Sequence, residues 1–204
     1  IESFTGEYSF EIRNNIYENG YTYAITYGGF ILIVDWAQHN IAIKELLSTD
    51  VNTMNQCFSG IAKINSTLIV APFRGNTFIE YDIEEDRQYS IECKAVDKEL
   101  ANMELKVNFC TQCCNRIFFY TGYNKPRLIE LKVKGHHYEI ITDFTLVIER
   151  EIGNGPYQFS KACVKNNSIY WVIYGKNYVI EFNLALNKTM VHSVGMKNQK
   201  YSSI

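Results

Sequence analysis

Few residues in this chain are spaced for catalysis. The four histidines, His39, His136, His137 and His192, are scattered, and no G-x-S-x-G, H-E-x-x-H, P-loop or dinucleotide fingerprint occurs. The nearest thing to a metal motif is Cys110-Thr111-Gln112-Cys113-Cys114. A structural zinc site needs a second pair of ligands, and only His136 and His137 are close in sequence. The cysteines align with a first strand and the histidines with the turn before a fourth, so buried free thiols are expected, with no metal and no cofactor. A thioredoxin-like role lacks its strand–helix context.

What does recur is a turn chemistry. Four turns combine an aromatic, a basic or imidazole side chain and an Asn: Asp35-Trp36-Ala37-Gln38-His39-Asn40, Phe73-Arg74-Gly75-Asn76, Tyr123-Asn124-Lys125-Pro126-Arg127 and Tyr174-Gly175-Lys176-Asn177. The candidate ligand residues are Trp36, His39, Phe73, Arg74, Tyr123, Lys125, Arg127, Tyr174 and Lys176. An aromatic can stack on the apolar face of a sugar, while Arg or Lys pairs with carboxylate or phosphate. The same residues have ordinary structural uses. Aromatics at strand ends fill the wedge between sheets, and Lys, Asn and Gly are common in turns.

The turns sit in a repeat. Phe58–Ile83 and Phe159–Leu184 align without a gap, and RIFFYTGYNKPRLIELKV lies between them. Ile-Glu recurs at 79–80, 129–130 and 180–181. A period of about 50 residues in strand-forming units points to a β-propeller, an all-β fold of four-stranded antiparallel blades. The second copy reads as strands over Phe58–Ile64, Thr67–Ala71, Thr77–Ile83 and Gln88–Lys94. The last reads as Phe159–Val164, Ser168–Ile173, Tyr178–Leu184 and Thr189–Val194. An aromatic-plus-hydroxyl pair at Tyr21-Thr22 and Tyr201-Ser202 sets further blade starts, so these are expected near 21, 58, 109, 159 and 201. Residues 1–204 then form a single propeller domain, or part of a larger one, with about four full blades and partial blades at both ends. On this reading the four turns each join a second strand to a third and share one rim. Glu80, Glu130 and Glu181 recur in register, which argues for a structural task. Ala95–Val107 has helical spacing, and Asp143–Gln158 is a second long connection.

The segments Asn115-Arg116-Ile117-Phe118, Ile79-Glu80-Tyr81-Asp82-Ile83 and Ile180-Glu181-Phe182-Asn183-Leu184 resemble the kelch-like and WD-like propeller repeat superfamily. The resemblance spans residues 21–200 and implies the fold. The kelch Gly-Gly doublet, the Trp near the fourth strand and the WD dipeptide are missing, so it carries no functional residue.

Composition narrows the function. A hydrophobic fraction of 47 % and an aromatic fraction of 14 % exclude a disordered chain. A net charge of −2 gives no bulk attraction to nucleic acid or anionic membrane, and no apolar run is long enough to span a bilayer. Neither is an expected partner. Six cysteines without regular spacing suggest free thiols and a cytoplasmic protein, or a secreted one if the N-terminal Ile marks processing. The expected function is a non-enzymatic propeller scaffold binding a protein or peptide through its loop face. The alternative is a carbohydrate or small anionic ligand held by the aromatic and basic turns, as in a lectin or a carbohydrate-active enzyme.

Overall fold

The computed structural model describes residues 11–26, 28–47, 58–104, 106–113, 116–121, 127–143, 145–153, 159–160, 162–173 and 176–194. Among these, strands β1 (Ile12–Glu18), β2 (Tyr21–Thr26), β3 (Phe30–Asp35) and β4 (Asn40–Glu45) form blade 1. Blade 2 holds β5 (Phe58–Ile64), β6 (Thr67–Pro72), β7 (Thr77–Asp82) and β8 (Arg87–Glu92). Blade 3 holds β9 (Val107–Cys113), β10 (Arg116–Thr121), β11 (Leu128–Lys134) and β12 (His137–Asp143). Blade 4 holds β13 (Cys163–Lys165), β14 (Ser168–Val172), β15 (Tyr178–Asn183) and β16 (Lys188–Ser193). Each is an antiparallel meander, and the fold is an all-β propeller of about four blades. Three short helices lie in the connections: α1 (Cys93–Val96), α2 (Lys98–Asn102) and α3 (Thr145–Ile152).

The blades stack through strands whose two faces are both buried. In β6, Leu68 and Val70 pack toward blade 1, while Ile69 and Ala71 pack toward blade 3. In β10, Ile117 and Phe119 face blade 2, while Phe118 and Tyr120 face blade 4. Period-two alternation therefore sorts apolar side chains into three interblade cores rather than into a core side and a wet side. The first strands of blades 1, 2 and 3 sit together, and β5 between them is the tightest point. A Cβ on Gly60 would lie 2.7 Å from Cys110 Cβ and 3.2 Å from Cys110 N. Asn14 Nδ2 donates to Cys110 O at 2.9 Å, and Ser59 Oγ donates to Val107 O.

Blade 1 departs from the sequence reading by one strand. Tyr21–Thr26 is its second strand, and the blade opens with Ile12–Glu18. Asn19 and Gly20, both at positive φ, close the β1–β2 hairpin. Asp35–Asn40 is therefore the third-to-fourth hairpin, and the second-to-third turn is Gly28-Gly29. The aromatic-plus-hydroxyl pair misleads because it recurs on different strands. The hairpin chemistry gives the right register. Asp35 Oδ1 accepts from Ala37 N and Gln38 N, as Asp82 Oδ1 does from Glu84 N and Glu85 N, and Asn183 Oδ1 accepts from Leu186 N. Four residues after each stands a residue at positive φ: His39, Asp86 and Asn187. In blade 4 the opening strand is shorter than expected, with a single bridge from Phe159 to Ile173 before β13. Residues 201–202 lie outside the described residues.

Two substitutions test this packing. Gly60→Ala should destabilise the protein by about 1–3 kcal/mol, because the added methyl meets β9 backbone rather than a flexible side chain. Ile180→Ala, fully buried against blade 3, should cost about 2–5 kcal/mol. Urea unfolding measures both, and a near-neutral result for either would contradict the interblade packing.

Candidate functional site

The second-to-third turns and the blade-to-blade connections lie at one end of the strands, and the third-to-fourth hairpins lie at the other. This follows from the meander order of each sheet. The first end is the loop rim. It brings together Phe73, Arg74, Arg127 and Lys176 by position, but not Trp36 and His39, which occupy the opposite rim. Tyr123, Lys125 and Tyr174 lie outside the described residues.

At the blade 2 turn Phe73 is only 7 % exposed. Its ring is flanked by two guanidinium groups, Arg13 Cζ at 5.7 Å and Arg74 Cζ at 6.0 Å. Phe73 O accepts from Lys106 N at 2.7 Å, which ties the turn to the entry of β9. The aromatic therefore supports the cations instead of offering its own face. Arg74 is exposed, and so is Lys176 at the blade 4 turn. Arg13 comes from the start of β1, a strand that sequence reasoning placed differently, and so it was not counted with the rim.

At the blade 3 turn Arg127 has a different task. Its Nη1 lies 3.0 Å from Asp97 Oδ1 and 3.4 Å from Glu99 Oε2. Asp97 also caps α2, accepting from Leu100 N at 2.7 Å. One guanidinium thus fastens a turn of blade 3 to the helical connection preceding it. The expected amphipathic helix over Ala95–Val107 is realised as two short helices, with Leu100 fully buried beneath them. The connection after blade 3 carries α3, whose Ile148 packs into the core shared with blade 4.

Trp36, on the opposite rim, is 55 % exposed, and its Nε1 donates to Thr22 Oγ1 at 2.9 Å. The neighbouring Asp35 carboxyl is held below its ordinary pKa, first by the Gln38 amide.

Of the recurrent glutamates, Glu80 and Glu130 lie buried between blades. Glu130, 1 % exposed, forms a two-point pair with Arg116, Nε to Oε1 at 2.5 Å and Nη2 to Oε2 at 2.7 Å. Arg116 Cζ sits 5.4 Å from the Phe118 ring and 5.2 Å from the Phe182 ring, so it bridges blades 3 and 4. Glu80, 2 % exposed, is met by His136 Nδ1 from blade 3. His136 also lies against the Tyr89 ring, at 4.3 Å between centroids. Tyr138 beside them has its pKa raised, mainly by burial and then by the Glu80 charge. Glu181 accepts from Ser168 Oγ at 2.8 Å and Tyr170 Oη at 3.2 Å, and lies 2.7 Å from His192 Nε2.

His136 is thus engaged with Glu80 rather than with a cysteine. Cys110 is buried, and burial pushes its thiol up to about 12, far from a reactive thiolate. Cys93 is buried, Cys113 half-buried and Cys163 exposed, all as free thiols, while Cys57 and Cys114 lie outside the described residues. Among the described residues no group of three or more His, Cys, Asp or Glu converges as a metal site.

No protein-family model matches the chain, and no curated protein matches it. Solved structures do. The extracellular domain of BT4673 from B. thetaiotaomicron superposes with a TM-score of 0.58 at 13 % identity, over 93 % of this chain and 23 % of that one. The Pan2 WD40 domain of Neurospora crassa matches with a TM-score of 0.58 at 11 % identity, over 88 % of this chain and 50 % of that one. U3-55K matches with a TM-score of 0.58 at 6 % identity, over 91 % and 53 %. At these identities the likeness concerns the fold alone. The chain spans about a quarter of the first structure and about half of the other two.

Two measurements check these roles. Arg127→Ala should cost about 1–3 kcal/mol by stranding Asp97, whereas Arg74→Ala should stay within about 1 kcal/mol. Equal costs in urea unfolding would contradict the division of labour. The Glu181 carboxyl sits below its ordinary pKa of 4.5, first because Ser168 donates to it. A depressed carboxylate stabilises the fold above its unfolded-state pKa and loses that contribution as the pH falls through the folded-state value. The Tm gap between wild type and Glu181→Gln should therefore be widest near neutral pH and shrink as the pH falls below 4.5. A gap independent of pH would contradict the assignment.

Proposed function

We propose that this propeller is a non-enzymatic scaffold that binds a protein or peptide across its loop rim. The observation that carries the reading is the fastening of that rim: Arg127 joins the blade 3 turn to α2 through Asp97 and Glu99. Rigid support lowers the ordering cost of binding, and loops on a rigid frame are where binding concentrates. Exposed Arg74 and Lys176 stand on this frame. The WD40 likeness supports the reading at the level of the fold only.

A second reading, an anionic or sugar-like ligand, is favoured by one feature. Exposed Arg74 stands beside the Phe73 ring on the loop rim, where its guanidinium can pair with a carboxylate or phosphate. The same guanidinium also suits an acidic peptide, so the two readings share the residue Arg74.

The test is a peptide array probed with wild type, Arg74→Glu and Trp36→Ala, beside a thermal-shift screen of glycans and anionic metabolites. Binding of peptides that is lost in Arg74→Glu and kept in Trp36→Ala is the expected result. Binding lost only in Trp36→Ala would move the site to the opposite rim and overturn the reading. A thermal shift with small anions alone, abolished by Arg74→Glu, would favour the second reading.

A further inference from the structure

Each of the three joints between described blades has a basic side chain closing on an acid. Between blades 1 and 2, Lys44 Nζ lies 2.7 Å from Asp86 Oδ2, and Lys63 Nζ lies 2.5 Å from Glu18 Oε2. Between blades 3 and 4, Arg116 pairs with Glu130 and donates to Asn187 Oδ1 of blade 4 at 3.2 Å. Lysine and arginine hold their charge at neutral pH. Between blades 2 and 3 the corresponding contact is made by an imidazole. His136, in the turn before β12, meets Glu80 of β7 through Nδ1. An imidazole changes its charge between about pH 5 and 8.

The two partners differ in their access to water. The His136 side chain is 58 % exposed, so protons reach it from solvent. Glu80 is buried, its Oε1 has no hydrogen-bond partner, and neither has Oη of the adjacent Tyr138. Phe78, on the same face of β7, packs edge-on against Tyr138 at 5.5 Å between centroids. A carboxylate in such a place depends on a cation close by. The Tyr89 ring, 4.3 Å from the imidazole between centroids, also favours the charged form.

The other ionisable groups of this joint have other tasks. Asp82 and Arg87 share the face of Glu80 and Tyr89. Asp82 accepts from the Glu84 and Glu85 amides, and Arg87 pairs with Glu85 at 3.2 Å. On blade 3, alternation turns Lys132, Lys134, His137 and Glu139 to the opposite face of the sheet. Tyr138 and the Cys110 thiol lie within the joint, and burial keeps both protonated at neutral pH.

We propose that His136 and Glu80 form a pH-operated latch between blades 2 and 3. In the protonated state the imidazolium closes the joint as an ion pair across the two blades. In the neutral state the carboxylate keeps its charge in an apolar joint, and the edge of that joint at His136 loosens. A cation that gains an acidic partner on folding stabilises the fold at the acid end of its titration. It loses that contribution as the pH rises through the titration. The latch is therefore closed at about pH 5.5 and open above about pH 8. The joints held by lysine and arginine stay closed over the same range.

The test uses the 204-residue chain. The imidazole Cε1–H resonance of His136, assigned by its loss in His136→Asn, is titrated by NMR in wild type and in Glu80→Gln. A lower midpoint in Glu80→Gln is the expected result, and an unchanged midpoint overturns the latch. Glu80 is buried and its variant can misfold, so thermal melts of His136→Asn provide a second reading. Asparagine keeps a donor near the place of Nδ1 but carries no charge. The Tm of wild type should exceed that of His136→Asn by about 2–4 °C at about pH 5.5, and the gap should close by about pH 8.5. His192 lies against Glu181 within blade 4, and its contribution is common to both proteins and cancels in the gap. His137→Asn, on the other face, should show no pH-dependent gap. A His136→Asn gap that does not shrink as the pH rises, or no gap at either pH, overturns the proposal.

Discussion

A four-stranded blade has two faces, and in this protein each inner blade must cover both. Everything else follows from that constraint. Strands such as β6 and β10 carry large apolar side chains at consecutive positions, Leu68-Ile69-Val70 and Ile117-Phe118-Phe119-Tyr120, because no side of the sheet meets water. Each blade is therefore stabilised by its neighbours more than by itself, as in other stacked repeats. The three interblade cores are separate bodies of apolar contact, joined through the sheets that lie between them.

Most polar groups that enter these joints have partners, although the buried Tyr138 Oη has no hydrogen-bond partner. Glu130 is buried with Arg116, and the guanidinium is in turn enclosed by Phe118 and Phe182 from adjacent blades. Glu80 is met by His136, and Lys63 from blade 2 reaches Glu18 of blade 1 at 2.5 Å. A buried pair of this kind adds little net stability over an apolar contact, but removing one partner is costly. Its effect is to fix which blade face meets which, and at what register. The loop rim inherits that rigidity through Arg127 and Asp97, and the candidate binding residues stand on a frame that is already ordered.

The fold was legible because the repeat is written in the third strand. Glu80, Glu130 and Glu181 stand in register, and each is closed by its own blade or the next. The strands of blade 2, and the last three of blade 4, could be read nearly to their ends for the same reason. Blade 1 was shifted by one strand because Tyr21-Thr22 imitates a blade opening, while Ile12–Glu18 alternates polar and apolar residues too weakly to read as one. The Asp35-to-His39 hairpin carried the correct signal, shared with Asp82-to-Asp86 and Asn183-to-Asn187. The candidate site was less legible, since it depends on which turns share a rim. Trp36 and His39 moved to the other end with the shift of register, and Arg13 entered. The task of Arg127 depends on Asp97, thirty positions earlier in the chain. Spacing in the sequence does not reveal a contact across two blades.

The central claim is that each blade draws its stability from the blades on its two faces. Residue-resolved amide hydrogen exchange tests it directly, comparing Ile69 and Ile129 in the inner blades with Leu32 and Val179 in the end blades. The account predicts slower exchange at Ile69 and Ile129 than at Leu32 and Val179. Uniform exchange across all four blades would contradict it.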